Sequence, residues 1–287
     1  MGRRKLPHSL FKRGELPGHQ PHGLMVYEST RASCENPAPG ILRIGAMQGR
    51  TRWIAAGELA AMTGLILSYI WIWQRAFPGA FLVCAAGYFG IGILGHRSRG
   101  ESLQSIGLRL DNWLPAMRNA AVAVVISASG ALVAGAILDS WHFPEWKIVL
   151  LTLPVTILWA TAQQYGLLCV FYRRSRDLFG SVAAAMACAA VLFAVFHLPN
   201  GFLVAVTLAA GVGACILYRY QPNIIVIGVA HALISFTLYH ALPGKVTTNL
   251  RVGPGYYTIE ADCQRNERIG KFTRGCANWR GQSKHTE

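Results

Sequence analysis

Residues Ala160–Asn200 read ATAQQYGLLCVFYRRSRDLFGSVAAAMACAAVLFAVFHLPN, two apolar runs that each carry polar side chains where a bilayer offers no water. Gln163 and Gln164 sit halfway along a run free of charge from Ile148 to Tyr172, and His197 ends a second run that starts at Leu178. In hydrocarbon an amide or imidazole must find a partner on another helix or in a water-filled cavity. These residues are therefore expected to face the interior of a helical bundle, with the other spans arranged around them.

The rest of the chain supports that reading. It has 287 residues, of which only 14% are charged, and its mean hydropathy is +0.33. Such a chain is too apolar for an ordinary soluble domain and too long for a single anchor. The net charge of +14 does not mark a nucleic-acid binder, because the basic residues gather at the two ends of the chain and in short loops, as they do in membrane proteins. Of seven cysteines, Cys84, Cys169, Cys188 and Cys215 lie in apolar runs and read as packing. Cys34, Cys263 and Cys276 lie in polar segments; the last two are placed to pair if the tail meets an oxidising compartment.

The expected architecture is all-α, a polytopic transmembrane helical bundle of about seven spans. These are Trp53 to Trp73, Gly79 to Gly95, Leu114 to Leu138, Ile148 to Tyr172, Phe179 to His197, Phe202 to Leu217 and Ile224 to Leu242. Each is near the ~20 residues needed to cross ~30 Å of hydrocarbon. Pro78, Pro144, Pro199 and Pro222 fall at boundaries, where they end helices cheaply. The bundle thus occupies residues 53–242. Residues 1–52, basic and rich in Pro and Gly, read as an irregular segment, and 243–287 as a basic polar tail. No apolar run follows the early basic cluster until Trp53, so no cleavable signal peptide is expected, and Met25 and Met47 are alternative starts.

Basic loops stay cytoplasmic, which favours a cytoplasmic N-terminus: nine Lys and Arg precede Trp53, and Arg97, Arg99, Arg109, Arg173, Arg174, Arg176 and Arg219 share that side. The facing loops carry only Arg75 and Lys147. The basic tail then falls outside, against the rule.

His197 follows Phe193 by four positions, and His231 and Ser235 repeat the spacing on the last span. Residues so spaced share a helix face. The glutamine pair with these residues makes a polar set from three helices that could hold a water or a metal. Alternatively each makes one interhelical hydrogen bond, worth ~0.6 kcal/mol. Adjacent residues point about 100° apart, so one glutamine faces inward; Gln163 is the expected one. His96, His142 and His240 lie at span ends, within reach of headgroups. Glu58 is the acidic residue within the spans, about one turn into the first of them, where its carboxylate also reaches the headgroup region.

The order of motifs resembles the CPBP family, intramembrane peptidases related to CAAX prenyl endopeptidases and to bacteriocin self-immunity proteins. That family shows E-E-x-x-x-R, then F-x-x-x-H, then H-x-x-x-N or H-x-x-x-D on successive helices. The matching stretches are QQYGLL (Gln163–Leu168), FAVFH (Phe193–His197) and HALIS (His231–Ser235), with familiar flanks in ESLQSIGLRL, RRSRDLFG and HLPNG. The resemblance spans Glu101 to Leu242. It implies a catalytic set at Gln163, Gln164, His197, His231 and Ser235, with no cofactor. It also implies a multi-pass protein of a bacterial or archaeal inner membrane, whose partners are the lipid bilayer and a peptide or protein segment, lipidated or not, and not nucleic acid.

The departures bear on activity. In the family the first motif's glutamate activates water, aided by the histidines, and the Asn helps hold the oxyanion. Here amides replace the glutamates, Leu168 replaces the Arg and Ser235 the Asn or Asp. An amide has no proton that titrates near neutral pH and cannot act as a general base, a role worth ~10²–10⁴-fold in rate. Histidine, with an ordinary pKa of about 6.5, is the remaining base. Two histidines without a carboxylate or thiolate make a poor metal site, so no tightly held metal is expected. Two functions follow: an intramembrane endopeptidase with impaired or altered activity, or an inactive relative that binds a peptide or partner as an immunity, chaperone or scaffold protein. A small-solute transporter is disfavoured, because the chain shows no internal repeat or paired broken helices.

Overall fold

The structure, a computed structural model, describes residues 39–268 apart from Phe143, together with Cys276. The chain divides at Leu42 into two units, and the packing below concerns the second, residues 43–287. The described residues form helices: α1 (Pro39–Trp71), α2 (Ala80–Ser98), α3 (Trp113–Ile137), α4 (Trp146–Phe179), α5 (Val182–Val195), α6 (Gly201–Tyr220), α7 (Ile224–Ala241), then short α8 (Gly244–Thr247), α9 (Pro254–Tyr257) and α10 (Ile259–Arg268). Helix α1 begins ahead of the expected Trp53 boundary, so residues 39–52 are helical rather than irregular; the N-terminal residues before them and Cys34 lie outside the described residues. The run PGILRIGAM opens with Pro, which suits a first helical position, and continues with apolar residues that carry the helix on.

Among the described residues, six helices are long and apolar enough to cross a membrane: 51–71 within α1, then α2, α3, α4, α6 and α7. The seventh expected span is shorter than its apolar run. Helix α5 has 14 residues, about 21 Å at 1.5 Å per residue, because Gly180 ends α4 with φ of 69° and Ser181 caps α5 by accepting from Ala184 N. Glycine stops a helix there because a left-handed C-cap costs it little. At the other end α5 stops at Val195, so His197 lies in the turn beyond it rather than on the helix.

Helix α4 runs through the basic stretch that the sequence reads as a loop. Its first part, Trp146–Gln164, passes into an eight-residue π-helical segment, Tyr165–Tyr172, and then into Arg173–Phe179. Every residue of the π-helical segment is buried. Leu167, Leu168, Cys169 and Phe171 form the centre of the main core, against Leu59 and Met62 of α1, Phe193 of α5, Cys215 and Tyr218 of α6 and Ile227 of α7. Helix α7 packs chiefly on α3 and α4, and α5 on α6. Glycines permit the closest approach: a Cβ at Gly228 of α7 would collide with Thr161 of α4.

Hydrogen bonds sort the connections into two ends. At one, the Ile106 carbonyl accepts from the Cys169 thiol and the Tyr218 hydroxyl, and Asn223 donates to the Arg109 carbonyl and the Asn112 side chain. At the other, the tail end, the His142 amide donates to the His240 carbonyl, Arg75 donates to Thr258, and the Gly253 amide donates to the Leu198 carbonyl. The rings of His142 and His240 lie 5.0 Å apart there. Cys263 and Cys276 are joined by a disulfide.

Candidate active site

Three helices bring the polar set together. Gln164 is the last residue before the π-helical segment of α4, and its side-chain nitrogen lies 2.9 Å from Nδ1 of His231 on α7. It is Gln164, 4% exposed, that reaches the histidine, not the expected Gln163, which is half-buried. The Tyr88 hydroxyl donates to the Ala162 carbonyl at 2.6 Å and steadies the backbone just before the pair. From the side of α5, Phe193 stands between the two histidines, its ring 5.0 Å from that of His197 and 6.0 Å from that of His231. Ser235 is half-buried one turn along α7, and no described hydrogen bond joins it to the histidines.

Hydrogen bonding assigns the protons. His197 lies just past the end of α5, and its Nδ1–H donates to the Phe193 carbonyl at 2.7 Å, leaving a lone pair on Nε2. Gln164 pairs with His231 through its side-chain nitrogen; with that NH₂ donating, His231 accepts at Nδ1 and carries its proton on Nε2. A carboxylate in place of Gln164 would reverse that arrangement, accepting from Nδ1–H. The site thus offers one basic nitrogen, on His197, and one imidazole N–H donor, on His231. The side-chain oxygens of Gln163 and Gln164 are buried without a hydrogen-bond partner. Buried polar atoms of that kind are rare and call for an explanation, such as a water or ligand contact. Among the described residues no three His, Cys, Asp or Glu side chains group as a metal site would.

A second polar cluster lies at the opposite end from the tail. Arg174, 1% exposed, lies between Glu58 at 2.9 Å, Glu101 at 2.7 Å and Asp177 at 3.2 Å. Arg99 bridges Glu58 and Asp177, and Arg173 pairs with Glu101. His96, expected near headgroups, is buried with Nδ1 2.6 Å from Glu101. Burial pushes the Glu101 carboxyl up, but hydrogen bonds from His96, Arg174 and Arg173 outweigh it and hold the group below the usual carboxylate range. Glu58, expected at the headgroups, is instead occupied by two guanidiniums, so it is not a free base for the site. The flanks ESLQSIGLRL and RRSRDLFG meet here, through Glu101, Arg173 and Arg174. Their opposite charges in sequence were the signal for this cluster. The ring of Tyr165 packs on His96 at 5.7 Å and lies between the cluster and the site.

Residues 166–237 match the family model of the Rce1-like type II CAAX prenyl endopeptidases. The match takes in Leu168, His197, His231 and Ser235 and begins just after the glutamine pair. No curated protein and no solved structure matches the chain. With its apolar helices, the matched region makes this an integral, multi-pass membrane protein. The two histidine motifs, brought to either side of Phe193, fall within the stretch that is similar to the CPBP/CAAX protease family of intramembrane peptidases.

Proposed function

We propose that this chain holds a peptide or protein segment near the bilayer in a family-type cavity and that its glutamate-dependent hydrolysis is lost or strongly reduced. The observation that carries this reading is the hydrogen bond from Gln164 to His231. The residue that would take a proton from water is instead an amide, which cannot act as a base, and it is tied to the imidazole beside it. The cavity nevertheless keeps its polarity. The two bare amide oxygens accept hydrogen bonds, and a peptide N–H supplies what they lack.

The test compares the natural chain with Gln163→Glu/Gln164→Glu/Leu168→Arg/Ser235→Asn in proteoliposomes, on a prenylated CAAX peptide carrying a photo-crosslinking group. Expected is crosslinking of the peptide by both proteins and cleavage faster by roughly 10²-fold or more in the restored one, the scale of a general base. Cleavage by the natural chain that His197→Ala abolishes would support a second reading, a histidine-based peptidase. That reading draws on the lone pair left on His197 Nε2.

Two observations support a cytoplasmic N-terminus: the basic residues around Arg174 gather at one end of the bundle, and the disulfide lies in the tail at the other. Disulfides persist on oxidising faces, so the tail is an exception to the charge rule and not a sign of a miscounted span. In this reading residues 53–242 form the membrane domain, 1–52 precede it inside, and 243–287 are a basic polar tail outside, in a bacterial or archaeal plasma membrane.

A further inference from the structure

The segment after α7 does not leave the bundle. Leu242 and Gly244 are buried, and the chain turns back across the tail end through α8. Thr248, Asn249 and Leu250 then have φ of 50°, 49° and 56°. Three consecutive non-glycine residues in the left-handed region are costly, most of all for β-branched Thr248. Such a conformation persists where its surroundings hold it.

The holder is Asn200. Its side chain is 1% exposed, and its amide nitrogen donates to the carbonyls of Thr247 at 2.8 Å and Arg251 at 3.1 Å, the residues on either side of the left-handed triplet. The same side chain accepts from Leu203 N and caps α6. Two residues before Asn200, the Leu198 carbonyl accepts from the Gly253 amide at 2.8 Å. Gly253 has φ of 57° and lies so close to Ile70 that a Cβ there would clash. Asn200 and Leu198, which make these hydrogen bonds, lie within three residues of His197. A cleft of about 520 Å³ lies between Arg75 and Gln74 on one side and Leu250, Arg251 and Asp262 on the other.

We propose that Pro243–Gly253 is a strap latched by the Asn200 amide over the tail-end mouth of the His197/His231 site, and that its release admits the peptide segment. This rests on the reading of that site as a peptide-holding cavity. The strained triplet favours release, and two donated hydrogen bonds oppose it, so the strap is poised between two states instead of being buried irreversibly. The cleft beside Arg75 gives the released segment room to move.

Asn200→Asp separates the latch from the cap. Aspartate still accepts from Leu203 N and caps α6, but it cannot donate to the Thr247 and Arg251 carbonyls. In the full chain in nanodiscs, amide hydrogen exchange over residues 244–253 should quicken roughly tenfold in Asn200→Asp, about the effect of one or two lost hydrogen bonds. The first turn of α6 should stay protected. In Asn200→Ala both regions should loosen. Ser235→Cys, followed at that site by peptide mapping after maleimide treatment, should label roughly tenfold faster when combined with Asn200→Asp. Unchanged exchange of the strap would overturn the latch, and faster exchange with unchanged labelling of Ser235→Cys would overturn its role as a gate. Both readouts are independent of peptide, so a strap that gates a cavity unable to crosslink peptide would sink the proposed function while leaving the strap intact.

Discussion

Two groups of polar side chains lie in this bundle, one around Arg174 and one around His231, and they differ in charge and in how their oxygens are paired. In the first, three guanidiniums, of Arg99, Arg173 and Arg174, face three carboxylates, of Glu58, Glu101 and Asp177, and every carboxylate touches a guanidinium. In the second there is no carboxylate or guanidinium, one interhelical bond is made, and two amide oxygens have no partner. Charges taken out of water need matched partners, because an unpaired one costs several kcal/mol. Neutral amides can wait for a ligand at smaller cost. The first group therefore has the makings of a structural clasp that joins α1, α2, the following loop and α4, and the second those of a site left incomplete by the fold.

The largest effect is expected where the clasp is broken. Arg174→Met removes the buried cation shared by Glu58, Glu101 and Asp177 and should cost about 3–5 kcal/mol, as when one partner of a buried pair is deleted. Denaturant or thermal unfolding in detergent measures it. A loss below ~1 kcal/mol would mean that water reaches this cluster, and the contrast with the site would fail.

Acid should loosen the same clasp with a definite sign. The Glu101 carboxyl is held below its ordinary value in the folded protein, so its stabilisation is present above the unfolded value, about 4.3, and is lost as pH falls towards the folded value. The contribution of Glu101 should be nearly flat from about pH 7 to 5 and then decline. Glu101→Gln should be less stable than the natural chain at neutral pH, and the gap between them should narrow below about pH 4.3. A gap that stays constant through that range would remove Glu101 from the clasp.

The two groups were not equally legible in the sequence. Hydropathy located the long spans, because a bilayer demands long apolar runs whatever their packing. Gln163, Gln164, His197 and His231 stood out because hydrocarbon makes polar side chains conspicuous. Which glutamine faces His231 was not legible, since it depends on the rotation of α4 against α7 and on a π-helical segment that starts just after Gln164. The clasp was read as separate loop charges and a span-end histidine. Its members at 58, 96, 99, 101, 173, 174 and 177 meet only once α4 is continued through the basic stretch, and hydropathy ends that helix where the arginines begin. Asn200 read as part of a turn; its two donated bonds depend on a tail that the sequence marked only as basic and polar.

The smallest effects should come from the site itself. Gln164→Leu removes the bond to His231 and, with it, a bare buried oxygen. The lost bond is worth about 0.6 kcal/mol by the measure of interhelical pairs in membranes, and the apolar replacement recovers part of this by removing the unsatisfied atom. The expected net cost is thus below ~1 kcal/mol. Gln163→Leu makes the sharper case, because its oxygen is buried without a partner: its stability should be unchanged or slightly higher. Unfolding of both variants beside Arg174→Met, in the same detergent, sets the scale. If either glutamine substitution approaches the cost of Arg174→Met, the site is a second clasp held by contacts like the first. If both are tolerated while crosslinking of the prenylated peptide falls, the amides are there for the ligand and not for the fold.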